Sequence, residues 1–226
     1  MTDLTESKQG QTASMQIKAY SVGEEIANAT THGLGVAAAI VGLTLMLTKG
    51  IPVLTASGIA AISVYGASLI LMFLCSTLYH SVQHGPSKAV LKRLDHCAIY
   101  LLIAGSYTPL MLISLDNDGA HLLLGVIWAL AAIGVLFKAF FVNRFKRLAL
   151  ITYLGMGWAS LAVIVELYAV LPTAGFVLLL AGGLSYSLGT LFYAAKRLPY
   201  THAIWHLFVL GGAVCHCLTI ALYVIP

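Results

Sequence analysis

Apolar residues along this chain gather into seven long stretches, and polar or charged residues fall mostly between them. A helix that crosses a bilayer needs about 20 predominantly apolar residues. Seven segments meet that requirement, over approximately 26–48, 55–80, 94–115, 121–142, 148–168, 173–195 and 202–225. The connections between them are too short to hold a soluble domain. The pattern therefore predicts an all-α membrane protein, a seven-transmembrane helix bundle over 21–226, preceded by a polar and flexible N-terminal tail over 1–20. The opening residues do not read as a cleavable signal peptide, because the first apolar stretch starts late and is long enough to remain in the membrane. Within the third segment Pro109 is expected to kink the helix. Gly182, Gly183 and Gly189 in the sixth segment and Gly211 and Gly212 in the seventh are expected to let helices approach closely. No internal repeat is visible.

Composition removes the soluble alternatives. The chain is 60% hydrophobic and 9% charged, whereas soluble domains carry about 25% charged residues. A net charge of +4 says nothing for nucleic-acid binding, and none is expected, because the placement of the charges matters more than their sum. Lys8 and Lys18 precede the first segment. Lys88, Lys92 and Arg93 fall between the second and third, Lys138, Arg144, Lys146 and Arg147 around the end of the fourth, and Lys196 and Arg197 before the seventh. All lie on one side of a seven-helix alternation. The other side has Lys49 with Asp116, Asp118 and Glu166. The positive-inside rule makes the N-terminus cytoplasmic and the C-terminus outside, and the expected location is a bacterial cytoplasmic (inner) membrane. Cys75, Cys97, Cys215 and Cys217 sit in apolar runs and suggest no disulfide framework.

Topology then sorts the ionisable side chains by depth. His202 and His206 open the seventh segment, four apart, so both face one side of a helix. His80 closes the second segment, Asp95 and His96 open the third, and His32 opens the first. All fall in the cytoplasmic layer. His121 lies on the opposite side, and His216, ten residues beyond His206, is about 15 Å deeper. Ionisable groups within spans are expensive and point to function. Three imidazoles, His80, His202 and His206, suit a metal, and three histidines with an open fourth position are a common catalytic zinc set. Copper, iron and nickel also accept imidazole. The His202–His206 spacing resembles half of HExxH, but Ala203, Ile204 and Trp205 intervene and supply no base. Asp95 is a candidate for that role, as a direct ligand or as a carboxylate holding a water and taking its proton. Its alternative is a carboxylate at a helix start, favoured by the helix dipole. Ser76, one turn before His80, could hydrogen-bond Asp95, the water or a substrate oxygen. Glu25, Asn28 and His32 share one helical face that is expected to turn inward.

These residues resemble the haemolysin III group of bacterial membrane proteins, within the broader progestin and adipoQ receptor family. The resemblance rests on Glu24-Glu25-Ile26-Ala27-Asn28 with Thr31-His32-Gly33, Ser76-x-x-Tyr79-His80, Arg93-Leu94-Asp95-His96, Gly105-Ser106-Tyr107-Thr108-Pro109, and His202-x-x-x-His206 with His216. It implies seven spans with a cytoplasmic N-terminus, opposite in orientation to G-protein-coupled receptors. It also implies a Zn2+ ion held by His80, His202 and His206, with Asp95 reaching the metal through water and Ser76 as the motif serine. Relatives of this kind include adiponectin receptors, and the wider superfamily includes alkaline ceramidases, which hydrolyse a lipid amide. The long N-terminal domain of those receptors has no counterpart here, so hormone binding does not carry over. The bacterial group has been associated with haemolysis, membrane energetics and lipid fluidity.

The leading functional expectation is a zinc-dependent hydrolase of a membrane lipid amide or ester, with Asp95 and Ser76 as catalytic residues and membrane lipids as partners. The second is a non-enzymatic regulator or sensor of membrane lipid state, with a structural zinc. A pore is the weakest reading, because the outer halves of the spans are largely apolar apart from Glu166 and His216.

Overall fold

The computed structural model describes residues 20–195 and 198–226. The polar tail over 1–19, with Lys8 and Lys18, and the pair Lys196 and Arg197 lie outside the described residues. Among those described, every regular element is a helix and there is no strand. Seven helices are long and apolar enough to span a membrane: α1 Val22–Gly50, α2 Ala56–Ser81, α3 Gly85–Leu115, α4 Asp118–Phe141, α5 Lys146–Val170, α6 Thr173–Ala194 and α7 Thr201–Val224.

Local chemistry explains several boundaries. Ser21 caps α1 in a capping box with Glu24, whose side chain returns to the Ser21 backbone N–H at 2.8 Å. The same Glu24 carboxylate accepts from the Tyr200 N–H at 3.1 Å, so the start of α1 holds the start of α7. Helix α3 begins about two and a half turns earlier than hydropathy indicates. Pro86 occupies its first turn, and Lys88, Lys92 and Arg93 ride on the helix rather than in a loop. Asp95 is consequently well inside a helix and does not benefit from its N-terminal dipole, which corrects that alternative.

Pro109 does not end α3. The helix widens after it into a π turn over Leu110–Leu115, closed by Asp116 N–H donating to the Met111 carbonyl at 3.0 Å. Helix α5 is interrupted by a 3-10 turn over Ala159–Val163 that the apolar pattern does not announce. Tyr107 absorbs this break: its hydroxyl donates toward the Met156 and Gly157 carbonyls at 2.7 and 2.9 Å and accepts from the Ser160 N–H at 2.7 Å. In a bilayer no water is available to do this.

Helices α1 to α4 pack in sequence order around Met46, Ile62, Tyr65, Phe73, Met111 and Ile127, all fully buried. Helix α6 packs along α7, and α7 closes back on α1. Because lipid tails are as apolar as the core, close packing rather than water exclusion drives this association. A Cβ at Gly189 would meet Phe208 Cβ at 2.7 Å, and one at Gly212 would meet the Tyr186 ring at 2.9 Å, so these glycines do bring α6 and α7 together. A Cβ at Gly183 would make only an ordinary contact, 3.7 Å from the Trp158 ring of α5. Helix α5 touches its neighbours α3, α4 and α6 only lightly. A cavity of about 180 Å³ remains, lined mainly by α3, α5, α6 and α7.

Candidate metal centre

The three predicted imidazoles meet. One ligand-capable nitrogen from each of His80, His202 and His206 lies within 4.8 Å of the other two. His80 and His206 are fully buried, and His202 is half-buried. The Nε2 atoms of His80 and His202 stand 3.3 Å apart. Two nitrogens bound tetrahedrally at about 2.0–2.1 Å from zinc would stand about 3.3–3.4 Å apart.

The far nitrogens decide which atoms are free to ligate. His80 Nδ1 lies 2.6 Å from Glu25 Oε2. A carboxylate only accepts, so Nδ1 carries the proton and Nε2 presents its lone pair to the cluster. His206 Nδ1 donates to the Asn28 backbone carbonyl at 3.1 Å, which likewise leaves Nε2 as the lone-pair nitrogen. That Nε2 is buried and has no hydrogen-bond partner among the described residues. A buried acceptor with nothing to accept from is costly, and a metal cation removes the cost. The donor set therefore fits a divalent, nitrogen-preferring ion, with both orienting groups contributed by α1.

Lys88 clamps the orienting carboxylate. Its Nζ donates to Glu25 Oε1 at 2.8 Å and to the Tyr79 and Val82 carbonyls at 3.1 Å each. Tyr20 lies over the cytoplasmic side, its ring centroid 5.0 Å from that of His202. His32 stacks on His206 with centroids 3.5 Å apart, and Phe73 meets its edge. Among the described residues neither His32 nitrogen has a hydrogen-bond partner. The Glu25, Asn28 and His32 face thus turns fully inward, and all three are buried.

Asp95 lies outside the three-nitrogen set but lines the cavity together with His32 and His202. Its Oδ2 is 3.3 Å from His96 Nδ1, which also lies 2.9 Å from the Lys92 carbonyl. Ser76 Oγ is buried without a partner, so the hydrogen bond to Asp95 allowed by the spacing is not made. His216 donates to the Leu179 carbonyl at 3.2 Å deeper in the cavity, and His121 pairs with Asp116 at the opposite end.

A family model described as haemolysin-III related matches residues 20–217. The chain belongs to the haemolysin III family. Hemolysin-3 of Bacillus cereus is 47% identical over 205 residues, covering 91% of this chain and 94% of that protein. A hemolysin-3 homolog of Bacillus subtilis (strain 168) is 44% identical over 204 residues, covering 90% and 96%. The monocyte to macrophage differentiation factor of Homo sapiens is 33% identical over 205 residues, covering 85% and 81%. With seven spanning helices, this haemolysin III chain is a multi-pass bacterial membrane protein.

Reasoning by depth reached the three histidines but missed the roles of Lys88, Tyr20 and Glu25 as their supporting groups. The signal for Glu25 was its place on the same face as Asn28 and His32. No comparable signal marks Lys88, whose charge reads simply as orientation.

Proposed function

We propose that this haemolysin III chain is a zinc-dependent hydrolase that cleaves an amide or ester of a membrane lipid. The observation that carries the reading is a three-imidazole cluster at the edge of an apolar cavity that also receives the Asp95 carboxylate. His80, His202 and His206 would hold the ion, which when bound supplies Lewis acidity and lowers the pKa of a water to about 7. Glu25 and the Asn28 carbonyl keep the ligating nitrogens aimed. Asp95 accepts the proton of the attacking water at a carboxylate oxygen and returns it to the leaving amine or alcohol. Ser76, with an unused buried hydroxyl, donates to the substrate carbonyl oxygen. Ile99, Leu102, Leu154 and Val209 line the space for the acyl chain.

Hydrolysis of ceramide-like and acyl-lipid libraries by the purified, zinc-loaded chain tests this. Asp95→Asn is expected to keep its metal and lose turnover. Activity persisting in both Asp95→Ala and His206→Ala would sink the assignment. One observation favours a second reading, a regulator of membrane lipid state with a structural ion: the cluster ties α2 to α7, two helices that otherwise meet mainly through α1. A coordination sphere without exchangeable water, together with no turnover on any lipid, would select it.

A further inference from the structure

Lys138 is a lysine that orientation rules explain only in part. It stands near the cytoplasmic end of α4, where the positive-inside rule places cations. Such a lysine ordinarily snorkels outward, yet this one is 1% exposed and lines the cavity. Among the described residues its Nζ makes no hydrogen bond and no ion pair; the Phe137 ring, 5.9 Å away, is its partner. The groups that act on it electrostatically are the cations Lys146 and Lys92 and the Cys97 thiol, and none of them is a carboxylate. A buried ammonium without an anion is expensive, so the arrangement calls for a negative ligand.

The surroundings specify what kind. Lys146, the first residue of α5, lines the same cavity, at a helix end whose dipole also favours anions. The Cys97 Sγ contacts the Val135 carbonyl at 3.5 Å, so Lys138, one turn further along α4, lies to the cytoplasmic side of Cys97, the side where the positive-inside rule puts lipid headgroups within reach. From there the cavity continues toward the bilayer centre along Leu150, Leu154, Leu179 and Val209. A polar, cationic end and an apolar body describe an amphiphile with a charged head. Two point-charge cations match a phosphate better than a singly charged carboxylate.

We propose that Lys138, with Lys146, is a headgroup site that selects membrane lipids ending in a phosphate monoester for this cavity. The proposal rests on the reading of the cavity as lipid-holding and is independent of whether the lipid is cleaved. Binding by the full, metal-loaded chain carrying Asp95→Asn, which stops turnover, can be followed through the fluorescence of Trp158 and Trp205, both in the cavity wall. The probes are dihexanoyl phosphatidic acid, dihexanoyl phosphatidylcholine, octanoate and inorganic phosphate. Phosphatidic acid is expected to bind most tightly. Lys138→Met should weaken it by at least about tenfold, Lys138→Arg should hold it within about threefold, and Lys146→Gln should fall between. Metal content and thermal midpoint identify any misfolded variant, and Lys146→Gln, at the half-buried helix start, then carries the test. Equal binding of phosphatidic acid and phosphatidylcholine, or no change in Lys138→Met, overturns the headgroup site and leaves the hydrolase reading standing. Inorganic phosphate competing as well as phosphatidic acid overturns the lipid assignment. Wild type binding no amphiphile at all overturns both readings.

Discussion

Glu25→Gln isolates the group that orients the metal site. The substitution keeps the shape of the side chain and removes its charge. It converts a charge-assisted hydrogen bond to His80 Nδ1, 2.6 Å long and shielded from solvent on the His80 side, into a neutral one. Loss of a carboxylate partner behind a metal-bound histidine ordinarily costs about 10–100-fold in metal affinity. The short bond and full burial of His80 place this case toward the upper end. Lys88 also loses its carboxylate, but it keeps the Tyr79 and Val82 carbonyls and is 23% exposed in its side chain, so its own contribution is small. Competition against a zinc chelator measures the affinity directly. Thermal stability offers an independent readout, because a ligand at 100 times its Kd stabilises by about 2.7 kcal/mol. At that free zinc concentration a 10–100-fold weaker site loses about 1.3–2.3 kcal/mol of this. The apo proteins should differ far less. A zinc affinity within about twofold of wild type, alongside a His206→Ala variant that has lost its zinc, would refute the role assigned to Glu25.

Other outcomes follow from separate features. Chelation of the wild-type chain should lower its thermal midpoint, and the same treatment should leave His206→Ala unchanged, as seen by calorimetry in detergent. Gly35→Val should destabilise the bundle by about 1–3 kcal/mol, because a Cβ at Gly35 would sit 2.6 Å from the Phe73 ring. Since Phe73 meets the edge of His32, metal content should fall as well. Lys49→Met should cost about 0.5–1.5 kcal/mol in chemical unfolding, through loss of the bonds from Nζ to the Ala221 and Ile225 carbonyls at 3.0 and 2.8 Å, with no effect on metal content.

Hydropathy was sufficient for the seven spans because the bilayer imposes one length on all of them. It located α3 poorly for a physical reason. A helix need not stop where its apolar face stops, and Lys88, Lys92 and Arg93 are good helix formers that carry α3 into the cytoplasmic layer. The interruption of α5 was invisible because Ala159–Val163 is as apolar as its neighbours, and the residue that accommodates it, Tyr107, lies on another helix. Depth alone could place His80, His202, His206, Asp95 and His32 in one layer. It could not say that His32 would stack on His206, that Ser76 would stand apart from Asp95, or that Glu25 would reach His80. Those outcomes depend on the rotation of each helix about its axis. Rotation also separates Lys138, turned inward, from the exposed Arg93, Arg144 and Arg147 of the same side, and hydropathy counts all of them alike.

The histidine cluster draws on α2 and α7, an early and a late segment of the chain. During synthesis and insertion His80 enters the bilayer long before its partners, since the other two imidazoles arrive with the seventh span. Until then its contact with Glu25, and the bond from Lys88 to that carboxylate, can already form, because α1, α2 and the start of α3 precede the seventh span. The orienting half of the site is thus prepared in advance and waits for the ligating half. Insertion of α7 becomes the event that completes the site, and a nascent chain arrested before it holds a single aimed imidazole.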